Sequence, residues 1–137
     1  MTLAENLVDA YSAAVLALGV MAALMLVQLL VADVVGIRRR HVPGTPVPAE
    51  HDDLLFRVAR TVANTNESIA IFLGALLFCV LAGASPDVTA SAAWAFVGCR
   101  AAYAACYYAN IKLARSAFFA LSLLALVVLL VAGAVAV

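Results

Sequence analysis

Charge is scarce in this chain. Eight basic and eight acidic side chains are spread over 137 residues and cancel, so the net charge says little and what matters is where the charges sit; no nucleic-acid partner is expected. Histidine and cysteine are equally sparse. His41 and His51 stand ten apart in one loop, so they lack metal-ligand spacing. Cys79, Cys99 and Cys106 are odd in number and lie in apolar stretches, where small buried thiols are expected rather than a disulfide or a metal site. There is no Ser-His-Asp constellation, glycine-rich phosphate loop, G-x-x-x-G contact or internal repeat. Basic residues are also missing from the opening MTLAENLVDAYS, where Glu5 and Asp9 stand instead. A cleaved signal peptide needs a positive n-region, so the first apolar segment is expected to be retained.

What the chain has in excess is hydrocarbon. Hydrophobic residues make up 67% of it and the mean hydropathy is +1.11, well above the roughly half-apolar usage of soluble domains. An integral, multi-pass membrane protein follows. Four apolar segments, about residues 7–35, 54–83, 90–108 and 117–137, approach or exceed the roughly 20 residues needed to cross a bilayer. All four are expected to be helices, because lipid leaves unpaired backbone groups unsatisfied. The predicted fold is all-α: a single domain over residues 1–137, arranged as a four-helix transmembrane bundle. GIRRRHVPGTPVPAEHDD is its one long loop, GASPDVT a tight turn, and NIKLARS the link between the third and fourth spans.

The few charges set the orientation. Arg38, Arg39, Arg40, Arg57 and Arg60 lie by the first loop and Lys112 and Arg115 by the third, on one side of the membrane. The positive-inside rule makes that side cytoplasmic. In a bacterial source this means an inner-membrane protein with both termini periplasmic. Trp94, near the outer end of the third span, is expected to be an interfacial anchor.

Those charges also fall into two stripes. At about 100° per residue, Asp53, Arg57, Arg60, Asn64 and Glu67 occupy an arc of roughly 80° on the second span, and Ile71 ends the run. Asp53 and Arg57 are spaced as an i, i+4 pair, and Arg57, nearest to water, is expected to snorkel to the interface. On the third span Arg100, Tyr103, Tyr107 and Asn110 share a face at the same depth. Ionisable groups inside spans turn toward the bundle interior or a wet cavity, so the two stripes together predict a site.

RVARTVANTNE resembles the R-x-x-R-x-x-x-N-x-x-E signature of the MAPEG family, the membrane-associated proteins of eicosanoid and glutathione metabolism. CRAAYAACYYANIKLARS is similar to that family's third-helix segment and the Arg-Ser after it. Helix count, loop pattern and length fit a bacterial-type member.

The resemblance implies a homotrimer with glutathione held as co-substrate between neighbouring subunits and a lipophilic small-molecule substrate arriving from the surrounding lipid. Carried over by position, Arg60, Asn64, Glu67, Tyr103 and Tyr107 would bind glutathione. Ser116 accompanies Arg115, which would stand beside the sulfur as the catalytic arginine. Arg38, or its neighbours Arg39 and Arg40, would reach a carboxylate. The chemistry suits the ligand: an arginine fork meets a carboxylate, a glutamate meets the ammonium, and a cation beside a thiol of pKa about 8.5 favours the nucleophilic thiolate. The expected function is that of a glutathione-dependent transferase or peroxidase acting on lipophilic electrophiles. A non-catalytic lipid-binding scaffold of the same family is the alternative, since Val62 and Ala63 stand where many of its enzymes are polar; a small four-helix exporter ranks last.

Overall fold

The computed structural model describes residues 2–137, in five α-helices. Helix α1 spans Leu3–Ala10 and opens with a capping box between Thr2 and Glu5. It ends at Tyr11, whose backbone leaves the helical region and whose hydroxyl donates to the carbonyl of Ala84. Helix α2 spans Ser12–Arg38. The first expected span is therefore two helices, broken where Tyr11 is drawn across the bundle to a distant carbonyl.

Helix α3 spans Leu54–Ala82, capped by the Asp53 side chain on the amide of Leu55 and closed by Gly83 in the left-handed region. Helix α4 spans Pro86–Tyr108, with proline at its start where a missing N–H goes unnoticed. Helix α5 spans Lys112–Ala136. Both later connections are thus shorter than the sequence suggests. α4 begins four residues before the expected 90, and α5 begins five residues before the expected 117.

Helices α2, α3 and α5 are long and apolar enough to cross a membrane. α4 is long enough but falls short in hydropathy, because one of its faces carries Arg100, Tyr103 and Tyr107. That face is buried against its neighbours. α3, at 29 residues, is about 43 Å long. It outreaches a hydrocarbon layer of about 30 Å, which leaves room for tilt or for turns at headgroup level.

The half of the bundle far from the long loop packs with small and aromatic side chains. Ala14, Ala17 and Met21 of α2 meet Phe72, Ala75, Ala93 and Phe96, and the Phe72 and Phe96 rings stack at 4.5 Å. Small residues let helices approach closely where lipid offers no hydrophobic drive for their association. Gly133 of α5 lies under the Phe78 ring, where an added Cβ would fall 2.5 Å from a ring carbon. The Cys79 thiol donates to the Leu129 carbonyl. Cys79 is buried as expected, whereas Cys99 and Cys106 are only half-buried. Trp94 bonds the carbonyl of Ala13 near the start of α2.

Candidate functional site

At the loop end, α3, α4, the first turns of α5 and the loop residue His51 enclose a cleft of about 280 Å³. Its walls are His51, Arg60, Asn64, Tyr103, Tyr107, Arg115, Ser116 and Phe119. Helical spacing delivers these groups: Arg60 and Asn64 lie one turn apart on α3, as do Tyr103 and Tyr107 on α4. Because α5 begins at Lys112, Arg115 and Ser116 sit on its first turns rather than in a linker. Two larger clefts, of about 510 and 530 Å³, lie along α4 and α5 in the far half. Their walls are almost wholly apolar and offer few groups to orient a polar ligand.

A chain of polar contacts runs along the cleft. Arg60 bonds Glu67 at 2.8 Å, and the Asn64 amide reaches the other Glu67 oxygen at 3.4 Å. The Asn64 carbonyl oxygen accepts from Arg100 at 2.7 Å, and Thr65 accepts from the same nitrogen at 3.0 Å. Arg100 is wholly buried, and its Nε and Nη1 have no hydrogen-bond partner among the described residues. Its guanidinium lies 4.6 Å over the Tyr103 ring, and that of Arg115 lies 4.3 Å over the Tyr107 ring. The Tyr107 hydroxyl meets His51 Nδ1 at 3.4 Å.

The two stripes therefore converge, though not all their members join. Glu67 stands beside the cleft through Arg60, with its side chain 58% exposed. Asn110 leaves the helix with φ of 60° and bonds Asp52. The expected Asp53–Arg57 pair is not formed. Asp53 caps α3 and bridges Arg39, while Arg57 donates to the carbonyls of His51, Asp52 and Tyr108. A helix cap and three carbonyls outcompete one i, i+4 contact. Arg38 is exposed at the end of α2 and lies outside the cleft. Ser116 lines the cleft, with its hydroxyl turned back to the Lys112 carbonyl.

The profile of the MAPEG family matches residues 12–135. The chain belongs to the MAPEG family. No curated protein matches it at a comparable level. Membership makes it an integral membrane protein of a family of glutathione-related transferases and peroxidases. Of the residues that the sequence resemblance picks out, Arg60, Asn64, Tyr103, Tyr107, Arg115 and Ser116 line one cleft, while Glu67 and Arg38 do not. The sequence places Arg100 on the third-span stripe but does not show its bridge to Asn64. It passes over two groups that line the cleft: Phe119 reads as ordinary core, and His51 only as a loop residue without a metal partner.

Proposed function

We propose that the loop-end cleft holds glutathione and that Arg115 stabilises its thiolate for attack on a lipophilic electrophile or peroxide. The convergence of Arg60, Asn64, Tyr103, Tyr107 and Arg115 on one cleft carries this reading. Charge supports it as well. Two guanidinium groups, from Arg60 and Arg115, line the cleft, and no carboxylate is among its walls; Glu67 stands beside it, paired with Arg60. Glutathione brings two carboxylates and one ammonium. Arg60 would take a carboxylate and Glu67 the ammonium, each through a charge-assisted hydrogen bond.

The same cleft argues for a homotrimer. Arg60 and Glu67 are 41% and 58% exposed on a membrane-length helix, a costly arrangement against lipid that a neighbouring subunit would relieve. Cross-linking in mild detergent should then reach trimer and stop; a ladder ending at dimer would contradict it. By the count of Lys and Arg near the membrane ends, the cleft faces the cytoplasm and both termini lie outside.

Calorimetric titration with glutathione tests the proposal. Saturable heat and a rise in melting temperature are expected, since a ligand that binds only the folded state stabilises it. Absence of both would overturn the reading. Binding without conjugation of a generic electrophile would leave a ligand-holding scaffold.

A further inference from the structure

We propose that His51 accepts the thiol proton of the site through the hydroxyl of Tyr107. The inference rests on the glutathione reading above and assigns the part of its chemistry that Arg115 leaves open. A guanidinium stabilises a thiolate but has no acceptor for the proton that ionisation releases.

The loop holds His51 firmly in place. Arg57 donates to the carbonyls of His51 and Asp52 at 2.8 and 2.9 Å, Asn110 bonds the Asp52 carboxylate at 3.3 Å, and Asp53 caps α3. These ties fix the loop just after the imidazole. The ring packs edge-on against Phe56, at 5.0 Å between centroids, and Nδ1 faces the Tyr107 hydroxyl. Tyr107 is 3% exposed, while His51 is open to solvent. A proton leaving the tyrosine therefore has a route to water by way of the imidazole. The groups facing His51 are Phe56 on α3 and Tyr107 on α4, with Arg60, Tyr103 and Arg115 across the cleft and Glu50 and Asp52 beside it in the loop.

With Nε2 protonated, Nδ1 accepts the Tyr107 hydroxyl hydrogen. As the thiol gives its proton to the tyrosine oxygen, the tyrosine gives its own to Nδ1. A thiolate remains beside Arg115, whose guanidinium already lies over the Tyr107 ring, and an imidazolium faces water. The thiolate then attacks an epoxide carbon, so that an S–C bond forms and a C–O bond breaks. The proton returns through Tyr107 to the new alkoxide, and none is gained or lost overall.

The test is the pH dependence of conjugation in the intact protein, with chlorodinitrobenzene as the electrophile; its chloride leaves without a proton. In the wild type kcat/KM should rise with pH through a limb well below free-thiol ionisation. His51→Gln keeps an acceptor for Tyr107 but cannot take up the proton. The variant should bind glutathione within about twofold of the wild type and lose about 10²-fold in rate at neutral pH, the low end for general-base removal. Its limb should move toward free-thiol ionisation, near pH 8.5. The selenol analogue of glutathione, ionised at neutral pH without help, should restore most of the lost rate. A purely structural role for His51 would not give that rescue. Should the glutamine variant fail to fold, Tyr107→Phe must show the same displaced limb. A limb at the same pH in wild type and variants overturns the inference, as does a selenol analogue no faster than glutathione in them. Wild-type protein that binds no glutathione overturns the parent reading and this one together.

Discussion

Phe96 and Arg100 sit one turn apart on α4, both with no solvent exposure, and they are buried by opposite means. Phe96 stacks on Phe72 within a shell of alanines, methionine and leucine. Arg100 spends a formal charge on an asparagine, a threonine and an aromatic face, with two nitrogens left over. In the far half the buried contacts are apolar packing and a few hydrogen bonds to backbone carbonyls, which lower the free energy of the bundle. In the loop half, burying a guanidinium without a carboxylate costs stability, and such a cost is tolerated where a site is built. On the proposed reading, holding the fold falls on one side of that single helical turn and holding a ligand on the other.

The largest effect that tests the division is on the apolar side. Phe96→Ala should remove about 3–5 kcal/mol of stability through lost packing and the cavity it leaves, read by denaturation in detergent. The affinity of the folded protein for glutathione should stay as it was. Equal losses of stability and affinity would break the division.

Next in size is Arg60→Ala. A ligand carboxylate deprived of its charged partner should bind more weakly by about 1.5–3 kcal/mol, seen by calorimetry. The melting temperature of the unliganded protein should scarcely move, because the Arg60–Glu67 bridge is exposed and such bridges contribute little. The smallest effect sharpens the comparison from the far end. Tyr11→Phe deletes one hydrogen bond to Ala84 and should lower stability by about 1 kcal/mol without touching glutathione affinity.

The parts of this arrangement that sequence spacing carries are those set within one helix. The stripe from Arg60 to Glu67 and the Tyr103–Tyr107 pair follow from a period of 3.6, and α3 starts at residue 54 as the apolar run does. What spacing does not carry is contact between distant segments. Tyr11 breaks the first span because a carbonyl 73 residues away takes its hydroxyl, and nothing near Tyr11 signals that. NIKLARS reads as a linker by its polarity, yet its last five residues begin α5 and so bring Arg115 over Tyr107. Hydropathy also misjudges α4. The residues that make it less apolar are the ones its neighbours enclose. His51 was visible only as a loop residue, because the path of a loop over a cleft has no period to read.

The role of Arg115 is where the account stands or falls. The direct measurement is the ultraviolet absorbance of thiolate in bound glutathione, titrated against pH in wild type and in Arg115→Ala. The account predicts a thiol that ionises below its free value of about 8.5 in the wild type and returns toward that value in the variant. Turnover should fall much further than affinity. Glutathione that binds with the same thiol ionisation and the same turnover in both proteins would contradict it.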